Sequence, residues 1–172
     1  MRMMLTADYE RCTGCRACEV ACSFKHYGEF NPRRSRINVV RDPLRGVNFP
    51  VFCLQCEDAP CVDSCPTGAL QKRDGLVELN YDLCIGCKTC VAVCPFGGVV
   101  VDPVTSKPIK CDLCGGEPEC VKFCTPGVLK YVPVTVANVE ARKKAVKNIP
   151  RLLELVLPRP VSVSYTHLTL PT

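Results

Sequence analysis

The sequence holds only two histidines, His26 and His167, and neither stands in a pattern with a carboxylate or a nucleophile. That excludes the usual acid-base and triad constellations. Long apolar runs are missing too, since the longest, around Val99-Val100-Val101, falls far short of the roughly 18 residues a membrane helix needs. Residues 1–8 carry neither an apolar stretch nor a twin-arginine pair. No secretory leader is read there, and a reducing, cytoplasmic setting is expected, in which disulfides are rare. Apolar core material is thin, because the 47% hydrophobic content includes 16 cysteines. With 172 residues there is room for one ordinary domain, held together by something besides apolar burial.

What the chain has in abundance is cysteine, in four groups of four with none left over: Cys12, Cys15, Cys18, Cys22; Cys53, Cys56, Cys61, Cys65; Cys84, Cys87, Cys90, Cys94; and Cys111, Cys114, Cys120, Cys124. The first and third groups read C-x2-C-x2-C-x3-C, and they align beyond the cysteines, Tyr9 with Tyr81, Gly14 with Gly86 and Arg16 with Lys88. The second and fourth have a longer middle loop, with Pro60 and Pro118 before the third cysteine and Gly68 and Gly127 three residues after the fourth. Two motif types therefore alternate along the chain.

In C-x2-C-x2-C three thiolates wrap one cubane of iron and sulfide, while the next cysteine, often followed by proline, points away to a neighbouring cluster. Cys65-Pro66 and Cys94-Pro95 carry that proline, and the third group matches the bacterial ferredoxin run in full. Zinc also accepts all-sulfur sites, but zinc ribbons join two separated C-x2-C pairs, whereas each group here already has a third cysteine close by. The pattern points to one-electron chemistry with 4Fe-4S clusters, all sixteen cysteines being ligands. Each oxidised cluster with its thiolates carries roughly −2, which turns the formal +5 into a net charge of about −3 and removes the argument for a nucleic-acid partner.

Around the cysteines the chain reads as α+β, built of small strands, tight loops and short helices. Strands are expected at Met3 to Ala7 and Leu76 to Leu79, with about one helical turn at each fourth cysteine. Residues 23–52 read as a surface hairpin or irregular loop, and their Arg33, Arg34 and Arg36 suggest a docking surface. Phe24, Phe96 and Phe123, close to fourth cysteines, could exclude water from clusters or simply pack in the core. His26 reads as a surface or hydrogen-bonded loop residue. Val136, Val139, Val146 and Ile149 opposite Arg142, Lys143, Lys144 and Lys147 predict an amphipathic C-terminal helix over 136–149 with a solvated basic face. Residues 163–172 read as translated sequencing adapter, so the natural C-terminus is expected to be missing.

Over residues 1–132 the chain resembles the four-cluster ferredoxin-like subunits of the dimethyl sulfoxide reductase iron-sulfur type. Cys22-Ser23-Phe24-Lys25-His26, Asn31-Pro32 and Ser35-Arg36-Ile37, with Lys110-Cys111-Asp112-Leu113-Cys114-Gly115-Gly116, are most similar to the iron-sulfur proteins that accompany aldehyde ferredoxin oxidoreductases. The resemblance implies two ferredoxin-like folds merged in one domain over 1–132, motifs 2 and 3 forming one half and motifs 1 and 4 the other, followed by a helical extension over 133–162. It also implies four 4Fe-4S ligand sets: Cys53, Cys56, Cys61 and Cys94; Cys84, Cys87, Cys90 and Cys65; Cys12, Cys15, Cys18 and Cys124; Cys111, Cys114, Cys120 and Cys22. The alternation of motif types by itself favours a tandem pairing of first with second and third with fourth. Cys22 and Cys124 lack the adjacent proline. The implied role is a non-catalytic electron-transfer subunit. Its partner would be a large catalytic oxidoreductase subunit, such as an aldehyde oxidoreductase, carbon monoxide dehydrogenase, hydrogenase or molybdenum or tungsten enzyme, or else another ferredoxin or a quinone-linked protein. A free-standing polyferredoxin is the alternative.

Overall fold

Closely spaced cysteines leave little chain in which regular structure can grow, and every element is accordingly short. The computed structural model describes residues 3–135 together with 146 and 149. Among these, eight strands form four separate antiparallel ribbons. β1 (Met3–Ala7) pairs with β8 (Leu129–Pro133), β2 (Ile37–Asp42) with β3 (Val47–Phe52), β4 (Leu70–Arg73) with β5 (Leu76–Leu79), and β6 (Val99–Val101) with β7 (Pro108–Lys110). The tightest connection is Asp74-Gly75, whose φ angles of 48° and 79° give the left-handed two-residue turn that matches strand twist.

Four helices intervene: α1 (Ala17–Tyr27), α2 (Pro60–Asp63), α3 (Thr89–Val93) and α4 (Glu119–Lys122). The last three are single turns, each stopping at or just before a fourth cysteine. Behind each, a glycine N–H returns to the carbonyl of Cys65, Cys94 or Cys124 at 3.2, 3.3 and 2.9 Å. Proline directly after Cys65 and Cys94 disfavours helical continuation there. Cys22 is followed by Ser23 instead, and α1 runs on through it for 11 residues until Gly28, at φ 68°, closes the helix with an N–H to Phe24 O bond of 2.8 Å. The single turn expected at Cys22 is thus a full helix. α1 packs on α4, and α2 on α3.

Two apolar cores result. The first gathers Leu5, Ile37, Phe52, Leu113 and Leu129 with Cys18, Cys22, Cys111 and Cys120. The second gathers Ala59, Leu70, Val77 and Val99 with Cys61 and Cys90. Residues 23–52 are more than a surface loop, because β2 and β3 send Ile37 and Phe52, each at most 3% exposed, into the first core. Their arginines also turn inward. Arg34 grips Asp102 through two 3.0 Å bonds, reaches Glu29 at 3.0 Å and lies 3.7 Å over the Tyr27 ring. Arg36 pairs with Asp112. The docking surface drawn from Arg33, Arg34 and Arg36 therefore loses two of its three charges to internal pairs. Phe24 and Phe123 are more than half exposed, which corrects their reading as core or water-excluding residues. The expected helix over 136–149 and the tail beyond it lie outside the described residues, apart from Val146 and Ile149, which are helical.

Candidate metal centres

All four Cys-x-x-Cys loops share one backbone device. The residue just before the second cysteine has positive φ in each: Gly14 at 71°, Gln55 at 52°, Gly86 at 72° and Leu113 at 58°. Such a left-handed step turns successive N–H groups toward one side and makes a concavity suited to an anion. Glycine adopts it freely, but Gln55 and Leu113 do so at a cost of about 1–2 kcal/mol each. Both are almost fully buried, so side-chain contacts hold the strained turn in place. In the first and third loops a second left-handed residue, Arg16 at 62° or Lys88 at 64°, then launches a helix carrying the third cysteine.

The thiols feel one another in groups. A pocket is lined by Cys12, Cys15, Cys18 and Cys124. Burial pushes the Cys18 thiol up to about 12, reinforced by the charges of Glu19, Cys15 and Cys124. Cys61 is raised to about 11 by burial and by Cys53, Cys94 and Cys56. Cys90 is raised by burial and by Cys87 and Cys84, while Cys87 is lowered by bonds from Thr89, with Cys65 opposing. Burial raises Cys120, followed by the charges of Cys111, Cys22 and Cys114. Across groups, Cys111 also feels Cys53, and Cys120 feels Cys18.

All sixteen cysteines are free of disulfides. A buried thiol whose ionisation is opposed by desolvation and by three like neighbours becomes a thiolate only with cationic charge between them. The donor sets thus suit a metal that prefers sulfur. Several sulfurs already accept hydrogen bonds. Arg36 N–H reaches Cys22 Sγ at 3.4 Å, Gly98 N–H reaches Cys94 Sγ at 3.3 Å and the Thr89 hydroxyl reaches Cys87 Sγ at 3.4 Å. Gly98 is required on space as well, since a Cβ there would meet Cys53 Cα at 2.7 Å.

Sequence reasoning missed several neighbours of these centres. His26 is a helix residue, with Nε2 3.8 Å from Cys114 Sγ and 3.5 Å from Asp112 Oδ1. Burial and then Arg36 lower its pKa against the pull of Asp112, favouring the neutral ring. Glu19, buried beside Cys18, accepts from Val39 N–H and Arg16, both at 2.6 Å. Gln55 had a visible signal, because it occupies the position that glycine fills in the first and third loops.

The profile described as a 4Fe-4S dicluster domain matches residues 44–133, and a second of the same description matches residues 11–70. The chain belongs to the 4Fe-4S dicluster family. Its relatives in that family include the electron transport protein HydN of Escherichia coli K12, 44% identical over 115 residues. That match covers 60% of this chain and 63% of HydN, so the chain spans rather less than two thirds of that relative. The putative electron transport protein YsaA of the same strain is 40% identical over 121 residues, covering 65% of this chain and 76% of YsaA. The polyferredoxin-like subunit of the Pyrococcus furiosus aliphatic sulfonate oxidoreductase is 44% identical over 96 residues, 55% of each chain. Among solved structures, a chain of the BamBC active-site complex of benzoyl coenzyme A reductase is similar at 31% identity and a TM-score of 0.48, covering 89% of this chain and 98% of that one. No helix among the described residues of this dicluster protein is long and apolar enough to cross a membrane.

Proposed function

We propose that this chain is a non-catalytic electron-transfer subunit that relays single electrons to or from a partner oxidoreductase through four 4Fe-4S clusters. The observation that carries this reading is the occurrence of sixteen cysteines in four groups of four along the chain, and the mutual influence of thiols from different loops supports sets of three from one loop and one from another. The proposed sets are Cys12, Cys15, Cys18 and Cys124; Cys22, Cys111, Cys114 and Cys120; Cys53, Cys56, Cys61 and Cys94; Cys65, Cys84, Cys87 and Cys90. When bound, a cluster of this kind supplies reversible one-electron transfer. The chain's part is to hold and insulate. The left-handed loops present N–H groups, the buried thiols exclude water, and the donors on Cys22, Cys87 and Cys94 tune potential.

The pairing of β1 with β8 and the packing of α1 on α4 and α2 on α3 support a nested arrangement over residues 1–132, with motifs 1 and 4 in one half and motifs 2 and 3 in the other. Neighbouring thiols across groups, Cys53 with Cys111 and Cys18 with Cys120, support a linear order in which the Cys22 set stands between the Cys53 and Cys12 sets. Residues 133–162 would form an extension beyond the two halves. A dedicated catalytic partner is favoured because relatives are named as components of larger enzymes, hydrogenase-4 and aliphatic sulfonate oxidoreductase. The motif around Cys22 and Cys111 favours a tungsten or molybdenum enzyme of the aldehyde oxidoreductase kind among such partners. A reducing, cytoplasmic setting goes with this reading, since ligand thiols must stay unoxidised.

Anaerobic purification with iron supplied tests it. The expected result is about sixteen iron and sixteen sulfide per chain, with a large chain co-purifying. About four zinc and no sulfide would overturn the cluster reading. Full iron with no companion chain would leave a free polyferredoxin.

A further inference from the structure

Lys110, at the end of β7, is 2% exposed, and its chain position beside Cys111 gives no hint of that burial. Its Nζ donates to the Val77 carbonyl and, at 2.8 Å, to the Cys111 carbonyl. Among the described residues it makes no ion pair. Gln55 closes the arrangement into a ring, its Nε2 donating to the Cys111 carbonyl at 2.9 Å and its Oε1 accepting from Val77 N–H at 2.8 Å. Cys111 belongs to the first core and Val77 to the second. The ring therefore clamps the two cores together at the only buried lysine among the described residues.

An ammonium buried with neutral carbonyls alone is unfavourable, so this position calls for negative charge nearby. We propose that Lys110 sets the reduction potentials on both sides of this seam, at the Cys22, Cys111, Cys114, Cys120 set and at the Cys53, Cys56, Cys61, Cys94 set. The inference rests on the cluster reading above. In support, the Lys110 ammonium sits on the carbonyl of Cys111, a member of the one set, and that carbonyl is also held by Gln55, the chain neighbour of Cys56 in the other. One electron crosses the seam, leaving one side oxidised by one and the other reduced by one. A fixed cation favours the reduced, more negative state on either side, and it raises both potentials without favouring one direction. Lys110 is a positioning residue, because it acts through the thiolates and need not touch a partner.

The test is a redox titration of the whole protein followed by electron paramagnetic resonance, with iron and sulfide measured on each sample. In Lys110→Gln, two of the four potentials fall, each by about tenfold in the reduction equilibrium, equivalent to 59 mV for one electron. The other two stay. Lys110→Arg restores the pair, and Val77→Ala, which loosens the packing of the second core at this seam while leaving the ammonium and its carbonyl acceptors, lowers thermal stability without moving them. Unshifted potentials in Lys110→Gln, an equal shift of all four, or the same shift in Val77→Ala would overturn the proposal. Should Lys110→Gln fail to hold iron, Lys110→Met and Lys110→Arg decide: arginine holding full iron where methionine does not supports the need for charge, and both failing alike shows packing alone and overturns it. Wild-type protein short of iron would instead defeat the cluster reading itself.

Discussion

In the first core Cys18, Cys22, Cys111 and Cys120 are all buried, enclosed by Ile37 and Phe52 from the β2–β3 ribbon, with Cys18 and Cys22 on the buried stretch of α1. The second core buries only Cys61 and Cys90, leaves Cys87 exposed, and has single-turn helices for walls. The chemistry of the thiols follows. Burial drives Cys18 and Cys111 up to about 12, whereas Cys65 and Cys87 are lowered, Cys87 chiefly by Thr89 and Cys65 by bonds from Leu70 and Thr67 that outweigh its burial. One cysteine repeat thus yields a dry region and a wet one, and residues 23–52 supply much of the difference. Desolvation and the Glu19 carboxylate disfavour added negative charge at the proposed Cys12 set, while water and hydroxyl donors favour it at the proposed Cys65 set. The lowest potential is expected at the former and the highest at the latter.

Five substitutions would sharpen or break that contrast. The largest effect is expected from Cys120→Ser, which strikes the dry core: iron content should fall by about eight per chain, against about four for Cys87→Ser in the wet one. Equal losses would show that the two regions are not differently coupled. Phe52→Ala should destabilise the protein by about 3–5 kcal/mol in denaturant melts, through the cavity it leaves beside Ile37 and Leu129. Asp102→Asn should cost less. Burial pushes that carboxyl up, but bonds from Arg34 and Thr105 prevail and hold it down at about 2. Its stabilising contribution is full above the ordinary value of 3.8 and is lost as pH falls toward about 2, so the gap in melting temperature between wild type and Asp102→Asn should narrow only in that window. Smallest is Thr89→Val, which removes the hydroxyl bond to Cys87 Sγ and should lower one potential by no more than about tenfold in the reduction equilibrium, read by redox titration.

The parts legible in the sequence were those fixed by neighbours in the chain. Strands stand at Met3–Ala7 and Leu76–Leu79 where β-rich runs precede cysteine loops. What escaped depends on distant partners. Arg34 looks like a solvated cation until Asp102, 68 positions away, arrives to grip it. Lys110 reads as a strand-end charge, and only the approach of Val77 reveals its burial. The length of α1 was half visible, since Cys22 lacks the proline that helps stop the other helices, yet the distance it would run depended on Gly28 and on packing against α4. Phe24 and Phe123 misled for a related reason. Nearness to a cysteine along the chain does not say which side of a helix faces out, and both stand in solvent, with Phe24 stacked on Phe30 at 4.8 Å.

The ribbon formed by β1 and β8 has a consequence for how the molecule is made. Cys12, Cys15 and Cys18 leave the ribosome early, but the pocket they share with Cys124 cannot close until the strand Leu129–Pro133 has been synthesised and has come back to Met3–Ala7. Until that strand returns, Cys12, Cys15 and Cys18 wait unprotected, although the chain of every later motif has by then been made.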